Sequence, residues 1–215
     1  MKTRILLAVV MAIGFMAFTY GQERTTEDIQ TIFGNNDNKI SHGGYGAFSV
    51  GYTQIDGQDV MTLGGRAGWV IDHHVTLGLA GTAFMNSIYI DGYWDNPDEG
   101  YYLVGGYGGF FIEPIIAPNF PVHVSFPVMI GGGGIALNDY TWHDYDWEDD
   151  YYEPYDWDSY FIVEPGVEIE LNVVRFFRVA FGASYRYTSD MHMANVPKDM
   201  MNGFSGNVTF KLGVF

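Results

Sequence analysis

The residues best suited to chemistry lie in one acidic and aromatic stretch, residues 138–160. It holds nine carboxylates, six tyrosines and three tryptophans, and no lysine or arginine. Carboxylates bind Ca²⁺, and tyrosine and tryptophan bring large rigid area to recognition surfaces. The stretch therefore predicts a solvated loop, a contact surface for a protein or a glycan, or a divalent-cation site. The candidate contact residues are Trp142, Asp144, Asp146, Trp147, Glu148, Asp149, Asp150 and Trp157, and the candidate calcium ligands are Asp144, Asp146 and Glu148.

Two further patterns invite a catalytic interpretation. His123 and Ser125 lie two residues apart and could serve as the base and the nucleophile of an esterase. The glycine runs at residues 105–109 and 131–134 could suggest phosphate loops, but neither precedes a helix or carries the Gly-Lys-Ser/Thr ending. Glycines that give room and curvature inside a narrow barrel explain both runs better. The glycine runs therefore predict no phosphate site. For the chain as a whole we expect no catalytic residues and no enzyme.

The composition excludes several classes of protein. The chain has 215 residues and a formal charge of −16, from 10 Lys+Arg and 26 Asp+Glu. This charge repels nucleic acid, so no nucleic-acid partner is expected. The chain contains no cysteine, which excludes a disulfide framework and thiolate-bound zinc. Hydrophobic residues make up 47% of the chain, too many for a disordered acidic protein.

The N-terminus has the pattern of an export signal. Lys2 and Arg4 precede an apolar stretch, residues 5–18, that is too short for a membrane-spanning helix. Small residues just before Gln22 predict cleavage at that point. We therefore assign residues 1–21 to a cleaved signal peptide, 22–42 to an N-terminal extension and 43–215 to the folded domain. No later apolar run is long enough for a membrane-spanning helix, so a mature protein embedded in a membrane must cross it with strands.

The elements that must position these residues are strands. Residues 177–188 alternate between large apolar residues and small or polar ones, which is the period of a β-strand. The same period recurs along the mature chain. It predicts eight strands, at residues 44–55, 61–71, 75–85, 101–112, 122–130, 161–171, 177–188 and 204–215.

The connections between these strands alternate in length. The second, fourth and sixth are short, at residues 72–74, 114–121 and 173–176, whereas the third, fifth and seventh are long, at residues 90–100, 137–159 and 189–203. An up-and-down barrel places such short turns on one side and the long loops on the other, as outer-membrane barrels do. A soluble sandwich has no reason to sort its loops in this way. The sequence therefore predicts an all-β fold, an eight-stranded antiparallel up-and-down transmembrane β-barrel.

Charged residues on the polar strand faces must lie in the lumen if the apolar faces meet lipid. Buried charges need partners. An antiparallel register that pairs Glu170 with Arg178 makes diagonal neighbours of Glu164 and Arg186 and of Glu168 and Arg178. The alternative is a solvated salt-bridge ladder on a soluble sheet. The predicted lumen charge network comprises Arg66, Glu164, Glu168, Glu170, Arg178 and Arg186.

The chain resembles the small eight-stranded outer-membrane β-barrels of Gram-negative bacteria, the OmpX and OmpA-barrel type. The features that carry this resemblance are the signal peptide, the eight alternating strands, the sorted connections and the terminal Phe215. The resemblance covers residues 43–215 and implies contact with outer-membrane lipid and lipopolysaccharide. In that family a final phenylalanine is the insertion signal read by the barrel-assembly machinery, which gives this role to Phe215. The apolar set that ends at Val214 is one position out of phase with it.

The pair His123 and Ser125 resembles the catalytic element of outer-membrane lipid A deacylases. In that family the pair faces the lipid near the outer leaflet. Here Val122 and Val124 take the lipid face, so His123 and Ser125 should point into the lumen. They also follow a short turn, at the wrong end of the strand for such an enzyme.

These features favour a non-enzymatic integral outer-membrane barrel with a side-chain-filled lumen, whose acidic aromatic loops serve envelope integrity or surface adhesion. Two alternatives stay open: a soluble, secreted, lipocalin-like ligand-binding barrel, and a lipid A esterase. Eight strands leave an interior that side chains can fill, so no open pore is expected. No cofactor is expected except Ca²⁺ at residues 138–160, where a protein or a glycan is the alternative partner.

Overall fold

The chain forms antiparallel strands in the computed structural model, which describes residues 41–86, 101–139, 156–193 and 196–215. No helix in these ranges has the length and hydropathy needed to span a membrane. The strands are β1 (His42–Ile55), β2 (Gln58–Ile71), β3 (Val75–Asn86), β4 (Tyr101–Ile116), β5 (Val122–Ser125), β6 (Val128–Asp139), β7 (Asp156–Val174), β8 (Phe177–Thr188) and β9 (Gly203–Val214).

The strands close into a ring. Successive strands pair along the chain, and β9 pairs back with β1. β5 and β6 are two halves of one barrel strand, because both pair with β4 on one side and with β7 on the other. The interruption falls at Phe126 and Pro127, where proline has no N–H to give to the ladder. The ring therefore has eight positions, and the predicted eight-stranded antiparallel up-and-down barrel is confirmed.

The two ends of the barrel differ in the length of their connections. Three short turns and the terminal Phe215 lie at one end, which we name the turn end. The other end, the loop end, carries the connections from β3 to β4, from β6 to β7 and from β8 to β9. It also carries the tight turn at Asp56 and Gly57, whose φ angles of 49° and 74° belong to the type I′ hairpin. Short turns and long loops are thus sorted as the sequence predicts.

The predicted register between β7 and β8 is wrong by two residues. Glu170 pairs with Ala180 rather than with Arg178, and Arg178 pairs with Asn172. The cause is a turn of only two residues, at positions 175–176, together with a bulge between Asn172 and Val174. Because side chains alternate with period two, a shift of two residues changes the partners but keeps every side chain on its predicted face.

Apolar side chains cover the outside of the barrel. Phe110 and Phe204 are each 76% exposed. Other exposed apolar residues on the strands include Leu63, Leu79, Ile130, Phe161, Ile169, Phe181, Phe210 and Leu212. The buried residues include Glu113, Glu168, Glu170, Arg178, Arg186 and Lys211. This distribution is the reverse of that in water-soluble proteins, where charged residues are almost never fully buried.

Strands β6 and β7 extend further toward the loop end than predicted. β6 includes the glycines at 131–134 and ends at Asp139, and β7 begins at Asp156. The connection between them is therefore residues 140–155. Trp157, predicted as a loop residue, lies on β7, is 67% exposed and pairs with Ala136. The predicted signal peptide, residues 1–21, and residues 22–40 of the extension lie outside the described residues.

Candidate functional site

The candidate site is a charged layer in the lumen toward the turn end, and Lys211 is its centre. The alternation of β9 turns Lys211 inward, where it is 1% exposed. Its Nζ lies 2.5 Å from Glu113 Oε1, 2.8 Å from Glu170 Oε1 and 3.1 Å from Glu168 Oε2. Glu168 and Glu170 share one face of β7 because they are two residues apart, and Glu113 comes from β4. One ammonium group thereby joins three strands.

Arg66 on β2 completes this layer from the opposite wall of the barrel. Its guanidinium donates a hydrogen bond to Glu168 and lies 3.7 Å from Glu113 Oε1. A second bond, 3.3 Å long, goes to Thr209 Oγ1. The guanidinium carbon lies 5.8 Å from the centroid of the Phe111 ring, within cation–π range. Arg66 therefore links β2 to β4, β7 and β9 through the lumen.

Arg178 and Phe215 close the lumen at the turn end. Arg178 Nη1 lies 3.6 Å from Glu170 Oε2 and 3.4 Å from His123 Nε2. The guanidinium lies over the Phe215 ring, 3.9 Å from its centroid, and this ring stacks on Tyr45 at 5.6 Å. In the folded barrel the Phe215 ring thus faces the lumen. Its role as an insertion signal stays a prediction.

Neutral side chains add hydrogen bonds to Glu113. Tyr45 Oη donates to Glu113 Oε2 at 2.5 Å, and Ser125 Oγ donates to Glu113 Oε1 at 2.9 Å. His123 Nε2 lies 3.3 Å from Glu170 Oε2. Within the described residues no hydrogen bond joins Ser125 to His123, although an esterase of this type needs that bond. Both side chains point into the lumen, as predicted, and contact carboxylates there.

The charges of this layer balance. Oxygens of Glu113, Glu168 and Glu170 lie within 4.8 Å of one another, close enough for a metal site. Lys211 Nζ already contacts all three carboxylates, and Arg66 and Arg178 add two further positive charges. Three carboxylates thus face three cationic side chains. A buried set of this kind is tolerated when every member is paired, so the layer is best described as an ion network.

Arg186 lies apart from this network, nearer the loop end. Its Nη2 donates to Thr53 Oγ1 at 2.9 Å and its Nε donates to the Met201 carbonyl at 3.1 Å. Glu164 instead accepts a hydrogen bond of 2.6 Å from Ser184 Oγ. Glu164 and Arg186 are close in the register, since Val163 pairs with Tyr187, but no ion pair joins them in the described part of the chain.

The other predicted diagonal pair, Glu168 with Arg178, is wrong. Glu168 pairs with Arg66 and Lys211, and Arg178 pairs with Glu170. The shift of two residues between β7 and β8 explains this exchange of partners. The six predicted lumen residues do face the interior, but only Arg66, Glu168, Glu170 and Arg178 belong to the ion network. Glu164 and Arg186 each form hydrogen bonds elsewhere.

The connection from β8 to β9 closes the lumen at the loop end. His192 N donates to Asp158 Oδ2 at 2.6 Å, and Thr188 N donates to Asn202 Oδ1 at 2.7 Å, so the connection is tied to the barrel wall. Its four methionines are buried in one apolar cluster with residues of β1, β4, β6 and β7. The cluster includes Met191, Met193, Met200, Met201, Ile55, Leu103, Leu137 and Ile162. We name this cluster the methionine cap; unbranched methionine side chains suit such irregular space.

A small cavity lies between the methionine cap and the ion network. Its volume is about 90 Å³, and its lining includes Arg66, Glu164, Glu168, Ser184 and Asn207. A cavity of this size holds only a few water molecules. The described part of the lumen is therefore filled by side chains along most of its length.

Sequence reasoning missed Glu113, Lys211 and the methionine cap. Glu113 lies between the predicted strand at residues 101–112 and the predicted turn that begins at Pro114, whereas β4 continues to Ile116. Lys211 stands between Phe210 and Leu212, so the alternation that placed Arg178 inside could have placed Lys211 there too. The methionines carry no period that distinguishes a cap from a loop.

Most candidate residues of the acidic aromatic stretch lie outside the described residues. Of that set, Trp157 alone is described, on the outer face of β7. The others are Trp142, Asp144, Asp146, Trp147, Glu148, Asp149 and Asp150.

Comparison with known proteins identifies the fold. No protein-family model matches the chain, and no curated protein matches it. Neisserial surface protein A superimposes with a TM-score of 0.51 and 11% identity, covering 82% of this chain and 99% of that chain. The N-terminal β-barrel domain of Pseudomonas aeruginosa OprF gives a TM-score of 0.51 and 7% identity, covering 81% and 99%. At this identity the likeness concerns the fold, and the chain has the fold of the small eight-stranded outer-membrane β-barrels.

Proposed function

We propose that this protein is a non-enzymatic integral barrel of the Gram-negative outer membrane, exported through a cleaved signal peptide. Its filled lumen makes it a structural element of the envelope. Its loop end faces the outside of the cell and presents the acidic aromatic residues 140–155 for envelope integrity or surface adhesion. Lipid and lipopolysaccharide surround it, and the barrel-assembly machinery inserts it.

The observation that carries this proposal is the distribution of polarity across the barrel wall. Aromatic and aliphatic side chains such as Phe110 and Phe204 face outward, and the ion network around Lys211 faces inward. Soluble monomers rarely expose contiguous apolar patches larger than a few hundred Å². Apart from the interrupted pair β5 and β6, each strand has at least 12 residues, above the roughly 9–11 that a tilted strand needs to cross a bilayer.

The small interior volume disfavours a lipocalin-like barrel. Such a protein needs a ligand-sized interior, and small-molecule pockets typically measure about 300–1,000 Å³. The interior cavity here measures about 90 Å³ and is partly lined by charged groups. Ser125 donates to Glu113 and His123 lies beside Glu170, which supports a structural role for both residues in the ion network rather than an esterase pair.

For the loop residues we retain three candidate partners: a protein, a glycan or Ca²⁺. Carboxylates concentrated in a short stretch without lysine or arginine repel one another and attract cations. Trp157 lies on the outer face near the loop end, where aromatic girdles of membrane barrels are found.

Fractionation of cells that express the full chain tests the location. The mature protein should sediment with outer-membrane markers and require detergent for extraction. Protease added to intact cells should cut within residues 140–155 and spare the turn at residues 175–176, which becomes accessible after the cells are lysed. Recovery of a soluble monomer without detergent would support the lipocalin-like alternative instead.

A further inference from the structure

A groove of about 630 Å³ lies on the outer face near the loop end, where β8, β9 and β1 are adjacent. Three aromatic residues line it: Tyr52 on β1, Phe204 on β9 and Tyr185 on β8. The rings of Tyr185 and Phe204 meet edge to face at 4.7 Å. Gly206 pairs with Tyr52 on one side and with Ala183 on the other, so two small residues lie between the aromatic ones. We name this feature the rim groove.

The packing of the barrel does not require the glycine in the rim groove. A Cβ atom at Gly206 would meet nothing closer than the Gly182 carbonyl oxygen, at 4.0 Å. At Gly43 and Gly213, by contrast, a Cβ would approach neighbouring backbone oxygens to within 2.1 and 2.2 Å. The space above Gly206 therefore opens outward, away from the sheet, and is available to a molecule outside the barrel.

Hydrogen-bonding groups line the edge of the rim groove toward the loop end. They are Asp56, Asp199 and Asn202, and no lysine or arginine is among the described lining residues. Tyr52 and Gln54, which also line the groove, both donate to Asp59 Oδ1, at 2.5 and 3.0 Å. Carboxylates without cations repel phosphate and sulfate groups, whereas they accept hydrogen bonds from hydroxyl groups.

The other edge of the rim groove meets the apolar belt. Val208 pairs with Val50 and with Phe181, one row closer to the turn end than Gly206. Phe181 is exposed on the outer face. A ligand in the groove therefore has an apolar surface on one side and hydroxyl-accepting groups on the other, which suits an amphipathic molecule.

We propose that the rim groove binds the uncharged saccharide headgroup of a glycolipid, with the lipid tail along the belt beside Phe181 and Val208. The apolar C–H face of a sugar ring packs on Tyr52 and Phe204, and its hydroxyls donate to the carboxylates of Asp56 and Asp199. The groove volume falls in the range of about 300–1,000 Å³ that is typical of ligand sites. This inference rests on the proposed insertion of the barrel into a membrane.

The experiment uses isotope-labelled mature protein in phosphatidylcholine nanodiscs, with backbone amide NMR signals as the readout. One series adds a dihexosyl diacylglycerol, a second adds phosphatidylglycerol with the same acyl chains, and a third adds free maltose. We expect saturable shifts of the Tyr52, Ser205 and Gly206 amides with the glycolipid and none with phosphatidylglycerol. Shifts of the same amide signals on addition of maltose would show that the headgroup binds without a tail.

One variant tests the location of the site. Gly206→Leu fills the groove without changing the barrel interior. The matched control is Gly46→Leu, on the same outer face, where a Cβ meets nothing within 4 Å. We expect Gly206→Leu to weaken glycolipid binding at least about tenfold, and Gly46→Leu to leave it unchanged.

Equal shifts with phosphatidylglycerol, or equal binding by Gly206→Leu and the wild type, would overturn the assignment of the rim groove. Failure of the protein to enter nanodiscs or to float with liposomes would instead contradict the proposed function. The two failures are thus distinguishable.

Discussion

Replacing Lys211 by methionine tests whether the ion network stabilises the barrel. Methionine keeps an unbranched side chain of similar length and removes the ammonium that contacts Glu113, Glu168 and Glu170. Three carboxylates then face the two guanidiniums of Arg66 and Arg178, and one buried negative charge is left without compensation. Removing one partner of a buried ion pair costs about 3–5 kcal/mol. Because Lys211 serves three carboxylates, we expect a loss near the upper limit.

Urea titration of the protein in phosphatidylcholine vesicles measures this loss. Unfolding can be followed by tryptophan fluorescence, because Trp69 and Trp157 are exposed on the outer face and change their surroundings on release from lipid. The matched control is Lys198→Met. Lys198 is 74% exposed, and its nearest carboxylate, on Asp190, is 3.9 Å away. The control should change the free energy of unfolding by less than about 0.5 kcal/mol.

A double variant separates charge balance from side-chain packing. Glu113→Gln added to Lys211→Met restores equal numbers of positive and negative groups, and the new amide oxygen at position 113 can still accept a hydrogen bond from Tyr45 or from Ser125, which donate to different carboxylate oxygens. We expect it to recover about 1–3 kcal/mol relative to Lys211→Met alone. The explanation fails if Lys211→Met is no more destabilising than Lys198→Met, or if the double variant is less stable than either single variant.

Three further predictions concern the lumen and the loops. Pure protein in planar bilayers should give no stable open pore, because the ion network and the methionine cap fill the lumen; large, steady single-channel currents would contradict this. In urea unfolding, Met201→Leu should lower the free energy of unfolding by less than about 1.5 kcal/mol, because leucine keeps the volume and the apolar surface of the cap. Met201→Ser should lower it clearly more. Equal losses for the two variants would show that Met201 does not stabilise the cap. Millimolar Ca²⁺ should shift tryptophan fluorescence and protect residues 140–155 from protease, and Asp144→Asn with Asp146→Asn should abolish both effects. Identical fluorescence and cleavage with Ca²⁺ and with chelator would leave a protein or a glycan as the loop partner.

The fold could be predicted from the sequence because the alternation has a physical cause. Between an apolar outer surface and a polar lumen, each strand must alternate with period two, and turn lengths then show which connections share an end. The same rule correctly places Arg178 and Glu170 inside the barrel. It failed at Glu113, because the following proline suggested that the strand had ended.

The partners inside the lumen could not be predicted in the same way. Register depends on the turn, and a two-residue turn with a bulge looks in the sequence like a four-residue turn at residues 173–176. Contacts between distant strands, such as Arg66 with Glu168, depend on the closed ring as a whole rather than on any local pattern. The methionine cap could not be predicted for the same reason, because the contacts of its loop residues also depend on the closed ring.

The charges inside the barrel specify which face of each strand meets the outside. If β9 slipped by one residue against its neighbours, Lys211 would leave the three carboxylates and point outward. In lipid such exposure costs between about 0–1 kcal/mol near the interface and about 2–4 kcal/mol at the bilayer midplane, and because Lys211 lies toward the turn end the larger part of the penalty is the loss of its three partners. An apolar lumen would not penalise this slip, because both faces of the strand would then be equally acceptable to lipid. The buried network therefore discriminates against slipped barrels more strongly than a core of leucine and valine could, while adding little net stability over such a core.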